Sequence, residues 1–227
     1  FIANTIIVDS AQRKIKTKEG FYDLKNKKAF FSSRTVIEDG AVKIIANQIE
    51  RDDNTGINKL TGNAVYTDTA QGISVLANLI EANRNEGTFR ATQHPLMILK
   101  QDQDSIYITA DTLFSGRLSN LYTSRDSLSL KDTIKGTTIV DVKEKGNDST
   151  DRFFQAYRHV RIFSDSLQAV SDSLFYSGKD SIFQLFQQPI LWSNNNQVTG
   201  DTIYLYTRNK KAERMDVFEN GLLISKA

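Results

Sequence analysis

Along most of the chain apolar side chains fall at every second position, the period of a strand with one buried face. The runs Val42/Ile44/Ala46, Ile73/Val75/Ala77, Ile106/Ile108/Ala110 and Leu167/Ala169/Ser171 each set three residues on one face. Helical periodicity is scarce, so the pattern predicts an all-β chain. Turn residues such as Gly178-Lys179-Asp180-Ser181 are dense and limit the strands to about five residues.

The runs end on a shared punctuation: a small residue, Asn or Asp, any residue, then a large aliphatic. It reads Ala46-Asn47-Gln48-Ile49, Ala77-Asn78-Leu79-Ile80, Ala110-Asp111-Thr112-Leu113, Ser171-Asp172-Ser173-Leu174 and Gly200-Asp201-Thr202-Ile203. The small residues lie 31, 33, 61 and 29 positions apart, a period near 30 with one interval doubled. Because the next apolar residue comes three positions after the small one, inward parity changes there, which predicts a corner or bulge. Asn and Asp suit such a corner, since they tolerate left-handed backbone and bond their own chain.

A second landmark follows each corner, a large apolar residue and then a strand start. It falls at Leu60, Phe89, Phe154, Phe186 and Met215, ahead of Val65, Leu96/Ile98, Val160/Ile162, Ile190/Trp192 and Leu222/Ile224. The doubled interval predicts an insertion at about 117–150, rich in Ser, Thr, Lys and Asp, where Leu128/Leu130 and Ile139/Val140/Val142 leave room for a hairpin. The first 40 residues read as a degenerate terminal unit, with no Asn or Asp after Thr17. The expectation is one elongated domain over 1–227, built from stacked repeats around a long, narrow apolar interior.

The unit of alternating apolar residues, Ala-Asp/Asn-x-Leu/Ile, polar corner, Phe or Leu, short loop and Val/Ile strand, as in Ile106 to Leu113 and Val198 to Tyr206, resembles the OstA-like family of lipopolysaccharide transport. That family includes the periplasmic bridge protein LptA and the N-terminal domain of LptD. The resemblance covers Ile37 to Ile224 apart from the insertion. It implies an open, twisted β-jelly-roll, or taco, of short stacked strands, and a non-catalytic periplasmic carrier sheltering lipid A acyl chains. It further implies lipopolysaccharide or a related glycolipid as ligand, with other transport proteins or further copies of the chain as partners through stacked edge strands. The insertion and the aromatics Phe153, Phe154, Phe183, Phe186 and Trp192 depart from the family's pattern.

Composition narrows the alternatives. A net charge of +2 lacks the excess that nucleic-acid binding calls for. The absence of Cys excludes disulfides, thiolate metal sites and a cysteine nucleophile. No apolar run approaches the roughly 20 residues of a membrane helix. The start at Phe1 rather than Met reads as a processed chain from which an export signal has been removed.

The expected lipid-facing residues are Ile44, Val65, Val75, Leu96, Ile98, Ile106, Ile108, Val160, Ile162, Leu174, Ile190, Trp192, Ile203 and Leu205. The plainer reading is that they pack against one another. Asn47, Asn78, Asp111, Asp172 and Asp201 offer one oxygen-bearing group per corner, whereas a calcium loop gathers several with glycines, so they read as structural and no metal or other cofactor is expected. His94 and His159 occupy equivalent repeat positions, and no nucleophile–base pair or paired carboxylates accompany them, so an enzyme is not expected. The rival to a carrier is a closed β-solenoid scaffold that binds proteins by strand addition, with Leu222 to Ile224 as the edge.

Overall fold

The computed structural model describes residues 1–9, 12–100, 105–121, 151–193, 195–208 and 211–225. The hairpin expected within the insertion lies outside the described residues, as does everything else between 122 and 150. The strands are β1 (Thr5–Val8), β2 (Lys14–Thr17), β3 (Gly20–Asp23), β4 (Lys28–Phe31), β5 (Thr35–Asp39), β6 (Val42–Ala46) and β7 (Gln48–Asp52). They continue with β8 (Ile57–Asp68), β9 (Ile73–Asn83), β10 (Thr88–Thr92), β11 (Leu96–Lys100), β12 (Ser105–Thr109), β13 (Thr112–Arg117) and β14 (Arg152–Phe163). The last are β15 (Leu167–Ser177), β16 (Ile182–Phe186), β17 (Ile190–Ser193), β18 (Asn196–Thr199), β19 (Thr202–Arg208), β20 (Lys211–Phe218) and β21 (Leu222–Ser225). One helical turn covers 118–121.

Every described pairing is antiparallel, and the pairings form two ladders. The first runs β1-β2-β5-β6, through the second half of β8 and the first half of β9, then β11-β12. It continues through the second half of β14 and the first half of β15 to β17-β18-β21. The second runs β3-β4-β7, the first half of β8, the second half of β9 and β10-β13. It then takes the first half of β14, the second half of β15 and β16-β19-β20. The long strands β8, β9, β14 and β15 belong to both ladders and turn the corner unbroken, so the ladders are two walls of one open β-jelly-roll.

The corners explain the repeated Asn or Asp. In β8 and β9, Thr61 pairs with Leu79 and Ala64 with Ala77, so Gly62 and Asn63 on one strand face Asn78 alone on the other. In β14 and β15, Arg158 and His159 face Asp172 in the same way. This is a bulge, two residues against one. Its extra residue sits on the strand paired with the Asn/Asp strand, where both residues are left-handed: Gly62 and Asn63, Gln93 and His94, Arg158 and His159, Gln187 and Gln188, Glu219 and Asn220. Left-handed backbone costs a non-glycine residue on the order of 1–3 kcal/mol. The Asn/Asp position offsets it: the Asn47, Asn78, Asp111 and Asp201 amides donate to the Gly62, Gln93, Arg158 and Glu219 carbonyls at 3.0, 3.1, 3.0 and 3.0 Å. Their side chains reach the second left-handed residue too, Asn78 Oδ1 accepting from the Asn63 amide at 3.3 Å and Asp201 Oδ2 from Asn220 Nδ2 at 2.9 Å. At the first corner, which lacks an Asn or Asp, the buried Thr17 and Thr35 hydroxyls bond each other at 2.8 Å.

Beside the corner, the second wall carries Phe31, Ile49, Leu60, Ile80, Ala91, Leu113, Ala156, Leu174, Leu185 and Ile203, each 0–2% exposed. Register places these residues opposite one another from strand to strand. Burying an isoleucine or leucine fully stabilises by roughly 1.5–3 kcal/mol. One such row along the whole stack is therefore the spine that joins units too small to fold alone.

Candidate functional site

The inner surface opens with distance from that spine. The next inward row of the second wall holds Phe89, Ser115, Phe154, Tyr176, Phe183, Leu205 and Met215, all only half-buried. Opposite it, the first wall presents Ile15, Ile37, Ile44, Tyr66, Val75, Met97, Ile108, Ile162, Ala169, Leu191 and Val198, again aligned by register. Two predominantly apolar faces thus meet at a sealed corner, the first-wall row mostly buried and the second-wall row half-buried.

Of the residues expected on this surface, Ile44, Val75, Ile106, Ile108, Val160, Ile162, Leu174, Ile203 and Leu205 do face inward. Val65, Leu96, Ile98, Ile190 and Trp192 belong to the outer rows. Val65 pairs with Ile45 and Leu76, and Leu96 pairs with Leu76 and Thr109. Ile98 pairs with Ser74 and Tyr107, Ile190 with Val170 and Thr199, and Trp192 with Gln168 and Gln197. The Trp192 indole donates to Gln197 Oε1 at 3.0 Å on that outer side. Runs such as Leu96-Met97-Ile98-Leu99 and Ile190-Leu191-Trp192 are apolar at every position, so alternation cannot choose the face. Phe186 likewise points outward, and Leu185 takes the inner place. Sequence reasoning missed several inward residues, among them Tyr66, Met97, Leu99 and Leu191 on the first wall and Phe154, Tyr176, Phe183 and Met215 on the second. The signal for those on the first wall was available in the register extrapolated from Val75 and Ile108.

At the N-terminal end the interior is polar and stitched. Arg13 Nε donates to Asp9 Oδ2 at 2.5 Å, and Arg51 Nε donates to Asp53 Oδ1 at 2.7 Å. Arg51 is 7% exposed; its Nη2 lies 2.7 Å from the same Asp53 oxygen, yet out of line for a hydrogen bond. Tyr22 donates to Asp53 Oδ2 at 3.5 Å, and burial, then the Asp53 carboxylate, push its hydroxyl pKa up. Further along the walls touch directly, the Tyr66 and Phe89 rings meeting at 5.3 Å and Arg84 standing 3.8 Å from Asp39.

The best-formed depressions lie elsewhere, on the outside of two corners. One, of about 400 Å³, contains Gln93, His94, Asp111 and His159, with His159 Nδ1 3.1 Å from both Asp111 carboxylate oxygens. The other, of about 850 Å³, lies beside Asp172, Gln187, Gln188 and Asp201. Both are shallow products of the bulge geometry. Among the described residues no three His, Asp or Glu side chains converge to hold a metal ion.

No protein-family model and no curated protein matches the chain. Among solved structures it is similar to LptH of Pseudomonas aeruginosa, the LptA homologous periplasmic component of the conserved lipopolysaccharide transport device. Identity is 10%, the match covers 82% of this chain and 95% of LptH, and the TM-score is 0.31. A score of that size means the two chains do not superpose as wholes, and the functional reading rests on this chain's own geometry.

Proposed function

We propose that the chain is a non-catalytic periplasmic carrier, holding the acyl chains of lipopolysaccharide or a related glycolipid lengthwise between its two walls. The observation that carries this reading is the inner row Phe154, Tyr176, Phe183, Leu205 and Met215, predominantly apolar, facing inward and only half-buried. Removing a CH₂ group from water is worth about 0.8 kcal/mol, so a chain of about a dozen carbons gains on the order of 10 kcal/mol before ordering costs. Partners are the lipid itself and either further copies of the chain or other transport proteins joined at the sheet edges. The scaffold reading keeps one supporting observation, the contact of Tyr66 with Phe89 that fills the trough in the N-terminal half.

Photo-crosslinking separates the two. Benzoylphenylalanine at Phe183 or Leu205 labels lipopolysaccharide in cells, and at the outward neighbours Gln184 or Tyr204 it does not. Labelling from the outward pair alone would sink the carrier, and so would failure of lipid A to associate with the purified protein by native mass spectrometry.

A further inference from the structure

The lip of the second wall carries a charge arrangement that folding does not explain. Arg117, near the end of β13, and Arg152, at the start of β14, are direct cross-strand partners. Both extend the inward row series Leu113–Ser115 and Ala156–Phe154 by one step, which sets them at the mouth of the trough. Like charges directly opposite each other on one sheet face repel. The two guanidiniums also converge on one point. Arg152 Nη1 donates to the Gly87 carbonyl at 3.0 Å, and a Cβ at Gly87 would stand 2.8 Å from Arg117 Nε.

The nearby acids make their hydrogen bonds and ion pairs to other groups. Arg152 Nη2 donates at 3.2 Å to the neutral Ser115 hydroxyl, and neither arginine forms an ion pair among the described residues. Asp151 is held by the Ser119 amide and hydroxyl at 2.9 and 2.8 Å. Asp39 lies by Arg84, and Asp68 accepts the Ala70 and Gln71 amides of its own turn. Burial, then the Arg117 charge, lower the Arg152 pKa, and Tyr66 and Asp151 oppose that shift without cancelling it. Directly inside this lip lie Phe154, Phe89 and Tyr66, so an anion placed here has apolar surface beneath it.

We propose that Arg117 and Arg152 bind the phosphate of an amphiphile whose apolar part enters the trough over Phe154, on the C-terminal side of the Tyr66–Phe89 contact. Paired guanidiniums suit phosphate because each offers parallel N–H donors to its oxygens. The lipid half of this statement rests on the carrier reading; the anion half does not.

The test measures binding of dodecyl phosphate, dodecyl glucoside and inorganic phosphate to the full chain by calorimetry. Wild type is compared with Arg117→Gln, Arg152→Gln and the outer-face control Arg161→Gln. Expected is a preference of at least tenfold for dodecyl phosphate over the glucoside, lost in both lip variants and kept in the control. Arg117→Gln removes no side-chain hydrogen bond among the described residues, so it remains informative if Arg152→Gln fails to fold. Equal binding of the two amphiphiles to wild type overturns the phosphate site and leaves the carrier standing. Binding of neither amphiphile overturns the carrier; inorganic phosphate then decides the arginines alone, because a melting rise with phosphate that is absent in Arg117→Gln keeps the anion site and no rise ends it.

Discussion

The two halves of the trough are built on one plan and finished differently. Toward the N terminus the walls touch, Tyr66 against Phe89 and Arg84 3.8 Å from Asp39, and each wall carries an ion pair of its own, Arg13–Asp9 at the turn between β1 and β2 and Arg51–Asp53 at the end of β7. Toward the C terminus the same row positions hold Phe154, Tyr176, Phe183, Leu205 and Met215, and the described ring contact there, Tyr176 with Phe183 at 4.4 Å, stays within one wall. The corner spine is equally sealed in both halves, Ile49 at 1% and Ile203 at 0% exposed. Fold stability and trough opening are therefore set by separate rows: the spine holds the stack together, and the row beyond it decides whether the walls meet.

Deleting one ring from each half is the strongest way to break that distinction. Phe89 rests on both walls but is only half-buried, so Phe89→Ala costs about 3 kcal/mol, the lower end of the loss for a buried phenylalanine. Phe183 rests on its own wall and is half-exposed, so Phe183→Ala costs about half as much. Urea midpoints measure both. Equal losses would show that the walls also touch in the C-terminal half.

How far the sequence foretold this follows from which physical signal each feature leaves. The corners were legible because Asn or Asp after a small residue recurs with a fixed period, and Ile44, Val75 and Ile108 were legible because a strand with one apolar face alternates. The left-handed pairs were mostly hidden: Gly62, Asn63 and Asn220 are residue types that suit that backbone, while Gln93, Arg158, Gln187 and Glu219 carry no conformational signature and take it because the neighbouring strand compels it. Leu96, Ile98, Ile190 and Trp192 went to the wrong face where the strands are apolar on both sides. The lip arginines were invisible for another reason. Arg117 and Arg152 are 35 positions apart, and only the register of β13 with β14 makes them neighbours.

The polar stopper should cost less to damage than the Phe89 contact. Asp53→Asn leaves the buried Arg51 guanidinium without its counter-charge. Breaking a wholly buried pair costs about 3–5 kcal/mol, and because the Asp53 side chain is 26% exposed the expected loss is nearer ~2 kcal/mol. Arg51→Met with Asp53→Leu restores most of it, since an apolar pair removes the desolvation penalty along with the attraction. Asp216→Asn, which removes the Arg214 ion pair on the outer face of the C-terminal half, leaves the midpoint unchanged. A loss for Asp216→Asn matching that of Asp53→Asn would erase the contrast between a polar interior and a solvated exterior.

The smallest effect on stability carries the most information about the two ends. In β21, Leu222, Leu223 and Ile224 are 55, 65 and 51% exposed, and β18 is its described partner on one side. In β1, Ile6 and Val8 are comparably exposed at 63 and 58% on the outer face, while Ile7 faces inward beside Ile15 and the Arg13–Asp9 pair makes the next inward step polar. An apolar trough continues across a junction only where apolar inner faces meet, and a lysine on an exposed edge strand blocks strand addition. Leu223→Lys therefore leaves the urea midpoint within about 0.5 kcal/mol and abolishes concentration-dependent association in sedimentation velocity, whereas Ile6→Lys leaves association intact. If both substitutions abolish it, the copies join head to tail and the polar end is no stopper; if neither does, the edges of this sheet are not where it meets its partners.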